Sequence, residues 1–161
     1  MLLQRTRPEA ARIDPEPRQL EIMLQELREH CDAVEECYEF MLAYAAQGLP
    51  RDSGSSSGEK LRSLLGRASK AIALLPGAYE AALSEGALQP VDKHRAFLSV
   101  VSRDAGDALA AMALVLAQPA ISSQLVDNLN ASIHLRALLT DLFLIDEIAK
   151  AGQSSVPNNV G

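Results

Sequence analysis

The sequence has few of the residues that usually carry a recognisable chemistry. It contains no tryptophan, and aromatic residues make up only 4% of the 161 residues. Its two cysteines, Cys31 and Cys37, lie six residues apart, which is about 9 Å along a helix and too far for a disulfide. We therefore expect a core of aliphatic side chains and no disulfide framework. Two free thiols also fit a reducing compartment, so we expect a cytoplasmic protein.

The chain also lacks a basic excess and a long apolar run. Its net charge is -6, which argues against a nucleic-acid partner. The longest stretch without a charged residue, 108–126, contains Gln118 and Pro119, so it is too interrupted for a membrane span. Arg5 and Arg7 break up any apolar stretch near the start, and we expect neither a signal peptide nor a membrane partner.

What the sequence does contain is a repeat of apolar residues at alternating steps of four and three, in four segments. A mean step of 3.5 residues keeps these side chains on one side of an α-helix that packs against neighbouring helices. The repeat predicts an all-α protein, an antiparallel four-helix bundle. The four sets are Leu20, Leu24, Leu27, Cys31, Val34, Tyr38, Met41 and Ala45; Leu61, Leu65, Ala68, Ile72 and Leu75; Leu98, Val101, Ala105, Ala108, Met112 and Val115; and Ala131, Leu135, Leu138, Leu142, Ile145 and Ala149.

The flanks of the chain have no such repeat. We expect a flexible, disordered N-terminal tail over 1–13, one helical bundle domain over 14–152, and a flexible, disordered C-terminal tail over 153–161. Asp14 is a suitable N-cap for the first helix, and Gly48 is a suitable C-terminal stop.

The other helix ends are predicted from capping residues and proline. Ser56 and Glu59 match a capping box for the second helix. Pro76 then ends or kinks that helix, which leaves one short extra helical turn near 78–84. Asp92 is the predicted cap of the third helix. The fourth helix, with Ser122 or Ser123 as its cap, is predicted to end near Gly152.

The histidines do not assemble a metal signature. A di-iron bundle needs Glu-x-x-His pairs, but the residues three before the histidines are Leu27, Val91 and Ala131. Glu26 and His30 are one helical turn apart, without a second pair to complete a ligand set. We expect no metal, no cofactor and no catalytic residue. Instead, His30 with Glu26 is predicted to be a buried polar pair that fixes helix register.

Two histidines support an alternative function, a histidine phosphotransfer-type signalling bundle. His94 lies between two basic residues in the first turn of the third helix, and His134 lies on a polar stripe of the fourth. Either imidazole is a candidate phosphate acceptor. Phe97 and Leu98, however, occupy the positions where phosphotransfer domains place a Lys and a Gly, so we infer no membership of that family.

The favoured function is a non-enzymatic interaction module, such as an adaptor, a regulatory protein or a chaperone-like protein. Acidic residues dominate the first helix and basic residues the second, so the two helices either lie side by side or offer an acidic face to a basic partner. The third helix is apolar nearly all round, which predicts a homodimer. The predicted self-association surface consists of Leu109, Met112, Leu114 and Leu116. An enzyme with a site built from scattered residues stays open.

Overall fold

The computed structural model describes residues 17–154, and all regular structure within that range is helical. The five helices are α1 (Pro17–Ala45), α2 (Ser56–Ser84), α3 (Val91–Leu116), α4 (Ser123–Ala131) and α5 (Ile133–Ser154). The prediction of an all-α protein is confirmed. Asp14 and the predicted tail over 1–13 lie outside the described residues. α5 includes the first two residues of the predicted C-terminal tail, and the rest of that tail, 155–161, lies outside the described residues.

The helices enclose one apolar core. α1 packs on α2 and α4, whereas α3 packs on α2 and α5, and α2 contacts neither α4 nor α5 within 17–154. The second predicted set is fully confirmed, because Leu61, Leu65, Ala68, Ile72 and Leu75 are all 0% exposed. α2 lies between α1 and α3, and its inner side chains are more completely buried than those of the other helices.

The inner face of α1 departs from the predicted repeat in its second half. Cys37 and Tyr44 are buried there, while Tyr38 and Ala45, one residue further along, are only partly buried. A straight helix has 3.6 residues per turn, so a strict step of 3.5 residues drifts around its axis over a long helix. The repeat therefore predicts the buried side of α1 correctly over most of its length, but it is displaced by one residue near the C-terminal end of the helix.

The predicted fourth helix is in fact two helices. Ser132 has φ −59° and ψ 129°, an extended conformation that separates α4 from α5. Ala131, which the repeat placed in the core, is exposed. The break lets α4 pack on α1 while α5 packs on α3. Of the two predicted caps, Ser122 and Ser123, the structure selects Ser122, whose side chain accepts a hydrogen bond from the N–H of Leu125.

The prediction of a separate short turn after Pro76 is wrong, because α2 runs through Pro76 to Ser84. A proline inside a helix removes one backbone hydrogen bond, here the bond to Ile72. Leu75 and Tyr79, both 0% exposed, pack into the core on either side of the proline. Burial of these two side chains therefore outweighs the lost hydrogen bond.

Two predicted caps are also corrected. Ser55, and not Ser56, caps α2, and its hydroxyl accepts a hydrogen bond from the N–H of Gly58 at 3.0 Å. α3 begins at Val91 after Pro90, so Asp92 lies inside its first turn and is not the cap. In both cases the helix begins one or two residues earlier than predicted.

Candidate functional site

A network of buried polar groups joins the loop between α1 and α2 to the loop between α3 and α4. Asp52, which is only 5% exposed, forms an ion pair with Arg62 and accepts a hydrogen bond from the N–H of Ile121 at 2.6 Å. The Arg62 guanidinium also donates to the carbonyl oxygens of Leu116 and Gln118, at 3.2 and 3.0 Å. We call this network, with the Tyr44 and Ser123 bonds described next, the clasp.

Tyr44 and Ser123 extend the clasp to α1. The Tyr44 hydroxyl donates to the carbonyl oxygen of Ile121 at 2.8 Å, and the Ser123 hydroxyl donates to the carbonyl oxygen of Tyr44 at 2.7 Å. Burial by itself raises the pKa of Asp52. The hydrogen bonds from Arg62 and from the N–H of Ile121 together outweigh burial, so the pKa of Asp52 is lowered overall. The clasp thus holds an ionised and fully paired carboxylate, which favours a structural role.

A second buried polar pair joins the end of α2 to the start of α3. His94 is 6% exposed and Tyr79 is 0% exposed, with 2.6 Å between the Tyr79 hydroxyl and His94 Nδ1. The two rings meet edge to face at 87°. A phosphate acceptor must be open to a partner protein, so His94 lacks the exposure that the phosphotransfer alternative required of it. The flanking Lys93 and Arg95 are exposed, but the imidazole itself faces α2.

A cavity of about 290 Å³ lies beside this pair. Its walls come from α1, from the loop after α2, from the start of α3 and from the end of α5. The lining is mainly apolar, and the imidazole of His94 supplies its titratable group. Principal lining residues are Leu20, Leu24, Leu88, His94, Ile148 and Ala149.

His134, the other candidate phosphate acceptor, is exposed on α5. Its Nδ1 lies 3.8 Å from a carboxylate oxygen of Asp107 on α3. A carboxylate at this distance repels an incoming phosphoryl group, although it also orients the ring.

His30 is half-buried on α1, as predicted, but its predicted partner lies elsewhere. Glu26 is exposed, and among the described residues no hydrogen bond joins it to His30. His30 Nε2 is buried without a hydrogen-bond partner within that part of the chain. The role of His30 in fixing helix register stays a prediction.

A pair of carboxyl groups between α3 and α5 was not predicted from the sequence. Asp141 is 9% exposed and lies beside Asp104. Burial and then the neighbouring Asp104 carboxyl raise the pKa of Asp141 to about 7. The position of Asp141 one residue before the core residue Leu142 was the only signal, and it was too weak to separate a buried aspartate from an exposed one.

The cysteines and the acidic residues offer little reactive chemistry. Cys31 and Cys37 are free and buried, and burial raises the pKa of each thiol to about 12. Both therefore remain protonated at neutral pH and are weak nucleophiles.

Over 17–154, no group of three or more His, Cys, Asp or Glu side chains is arranged to hold a metal ion. None of the helices in that range combines the length and apolar character needed to cross a bilayer.

Exposed apolar side chains are concentrated on α5. Of eight large hydrophobic residues exposed in the described part of the chain, four belong to this helix: Ile133, Phe143, Leu144 and Ile148. On the predicted self-association surface of α3, Leu114 is 67% exposed, whereas Leu109 and Leu116 are half-buried. Met112 is 1% exposed and belongs to the core, so including it in that surface was wrong.

The burial of Met112 has a simple cause. It lies three and four residues from Val115 and Ala108, which are both core residues, so it shares their side of α3.

Comparison of the chain with protein-family models, with curated proteins and with solved structures finds no match in any of the three. A function can therefore be inferred only from the surfaces and cavities of the chain itself.

Proposed function

We propose that the protein is a non-enzymatic helical interaction module that forms a homodimer through the outer face of α5. The outer face consists of Ile133, Ala137, Leu144 and Ile148, which follow one another at steps of four, seven and four residues. Such spacing keeps them on one side of the helix, opposite the core residue Leu142. The observation that carries the proposal is the exposure of Ile133, Leu144 and Ile148, at 73%, 49% and 42%.

A second copy of the chain is the partner that suits this face best. In an antiparallel pairing about a two-fold axis, Ile133 meets Ile148 of the other copy, and Ala137 meets Leu144. Arg136 and Glu147, both exposed, lie along one edge of the face and pair with each other across the same axis. The midpoints of all three pairs fall between positions 140 and 142. One axis thus satisfies the apolar contacts and the charges together.

For the fold, we propose an antiparallel bundle in which α4 and α5 together fill the fourth position. An ion pair of 3.2 Å between Glu36 and Arg67 joins the middle of α1 to the middle of α2. The hydrogen bond between Tyr79 and His94 joins the end of α2 to the start of α3. Both contacts are expected between antiparallel neighbours linked by short loops. This arrangement leaves the outer face of α5 free for a partner.

The experiment that tests the proposal is sedimentation equilibrium of the intact chain at micromolar concentration. We expect about twice the chain mass of 17.3 kDa. Leu144→Glu places a charge on the outer face and should give a monomer. Leu74→Glu is the matched control, since Leu74 is 58% exposed on α2 and belongs to no comparable apolar face. A monomeric wild type, or dimers of both variants, would contradict the proposal.

Charge exchange at the edge of the face tests the two-fold axis. Arg136→Glu and Glu147→Arg each create like charges across the axis, so each variant alone should weaken dimerisation several-fold. The double variant restores opposite charges and should recover the wild-type dimer affinity. Additive weakening in the double variant would exclude the antiparallel pairing.

The phosphotransfer alternative is favoured only by the exposure of His134. Incubation with a phosphorylated receiver domain tests it, with His134→Ala as the control. We expect no acid-labile phosphate, because Asp107 lies beside the imidazole.

We also propose a cytoplasmic location, since Cys31 and Cys37 are free thiols.

A further inference from the structure

We infer that the cavity beside His94 is a binding site for a small apolar carboxylic acid, whose carboxylate accepts a hydrogen bond from His94 Nε2. This site shares Ile148 with the dimer face proposed above, but its hydrogen-bonding group, His94, lies outside that face. It combines a buried polar group with apolar walls, which is the usual composition of a small-molecule site.

The Tyr79 hydroxyl determines which nitrogen of His94 carries the proton. No second acceptor for the Tyr79 hydroxyl exists among the described residues, so this hydroxyl has to donate to His94 Nδ1 or leave its own proton buried and unpaired. Burial also raises the pKa of Tyr79 to about 12, which keeps the hydroxyl proton in place. We therefore assign the proton of the neutral imidazole to Nε2.

His94 then offers a hydrogen-bond donor on the cavity side of its ring. His94 is part of the cavity wall and Tyr79, which contacts Nδ1, is not, so we place Nε2, on the other side of the ring, toward the cavity. Within 17–154, Nε2 has no hydrogen-bond partner. Protonation of the imidazole does not remove this donor, because Nε2 carries a hydrogen in both states. The cavity therefore favours a ligand with an acceptor and disfavours one that only donates.

The remaining walls select for an apolar body and a modest size. Leu20 and Leu24 of α1 line the cavity together with Ile148 and Ala149 of α5. The volume of about 290 Å³ is close to the lower end of the range for small-molecule sites. α3 begins at Val91, so the positive end of its dipole lies next to His94 and adds a preference for an anion. A short aliphatic monocarboxylate satisfies all three conditions.

Titration of the isotope-labelled full chain with octanoate tests the site. The imidazole ¹⁵N resonances of His94 should shift and saturate, with the larger change at Nε2. Octylammonium has the same chain length but can only donate hydrogen bonds, so it should leave these resonances unchanged. No shift at His94 with octanoate, or equal shifts with both probes, would overturn the inference. Shifts confined to exposed residues of α5 would overturn it as well.

Two variants distinguish a specific site from a general apolar surface. Tyr79→Phe with His94→Phe removes both hydrogen-bonding partners together, which leaves no buried polar group unpaired and should preserve the fold. Its octanoate affinity should fall about tenfold or more. Ala149→Phe fills the cavity while keeping His94 and Tyr79, and it should abolish binding. A folded double variant with wild-type affinity, or unchanged binding by Ala149→Phe, would contradict the inference.

Discussion

Helices α2 and α5 have equally regular inner faces and very different outer ones. Beyond its fully buried inner residues, α2 exposes one large hydrophobic side chain, Leu74. Its first turns contribute Arg62 to the clasp. α5 begins after a break at Ser132, buries the raised-pKa carboxyl of Asp141, and exposes four large hydrophobic side chains. Departures from folding rules that gather on one element are expected where a protein has a function to serve. This difference is consistent with a mainly stabilising role of α2 and with the recognition role that we propose for α5.

The packing of the two helices explains why they differ. α2 lies between α1 and α3 and packs closely on both, whereas α5 packs on α3 and makes only slight contact with α1. A helix with one close neighbour leaves more of its circumference to solvent. An apolar residue on that free side does not stabilise the monomer, so Leu144 and Ile148 need another explanation.

The largest effect is expected at the start of α2, from Gly58→Ala. A Cβ atom at position 58 would lie 1.8 Å from the carbonyl oxygen of Asp52, so the loop that holds the clasp has to move. We expect a loss of about 3 kcal/mol or more in the free energy of unfolding, measured by urea denaturation.

Gly66→Ala is the matched control on the same helix. Nothing lies within 4 Å of a Cβ atom at position 66, so the better helix propensity of alanine should stabilise the protein by about 0.5 to 1 kcal/mol. Equal effects of the two substitutions would show that the loop does not pack on α2 as described.

A smaller loss is expected from Asp52→Asn, which removes the charge from the clasp. Hydrogen bonds to charged groups contribute about 1.5 to 3 kcal/mol each, and the amide keeps part of them, so we expect a loss of about 2 kcal/mol at pH 7. The lowered pKa of Asp52 makes its contribution fully present above the unfolded pKa, and the contribution disappears as pH falls through the folded pKa. The difference between variant and wild type should therefore shrink in strong acid. If the difference in the free energy of unfolding between variant and wild type stays constant from pH 7 into strong acid, Asp52 is not ionised in the folded protein.

On α5, Asp141→Asn should have the opposite sign. The folded pKa of about 7 lies above the unfolded value, so the wild-type protein loses stability as pH rises from about 4 to 7. The variant should be more stable than wild type at pH 8, because it has no buried carboxylate to ionise there, and the gain should vanish near pH 4. Asp127→Asn, at an exposed position of α4, is the control. Destabilisation by Asp141→Asn at pH 8 would mean that the ionised carboxylate is needed.

Much of the fold was predictable because apolar spacing directly reports the inner face of a helix. The sets on α2 and α5 were largely correct, and so was the cap at Ser122. The break at Ser132 was not predictable, since it depends on α4 and α5 packing on different neighbours and neither proline nor glycine marks it. The path of α2 through Pro76 depends likewise on tertiary burial of Leu75 and Tyr79, which no local rule contains.

The candidate sites were less predictable than the fold. His94 has basic neighbours in the sequence, which suggested an exposed imidazole, but its contact with Tyr79 decides its position. Asp141 looked like an ordinary polar-face residue because Asp104 lies on another helix. The exposed apolar residues of α5 were also missed, since hydrophobic composition does not reveal which side of a helix lacks a neighbour. Each miss involves a contact between residues far apart in the sequence.

The most direct test of the central claim is disulfide cross-linking through Thr140→Cys. Thr140 is exposed beside the proposed two-fold axis, so cysteines from two copies should approach within bonding distance, while the native Cys31 and Cys37 stay buried. Ser63→Cys, exposed on α2, controls for random collisions. We expect mild oxidation to convert Thr140→Cys rapidly to a covalent dimer and to leave Ser63→Cys mainly monomeric. Equally slow cross-linking of both variants would contradict self-association through α5.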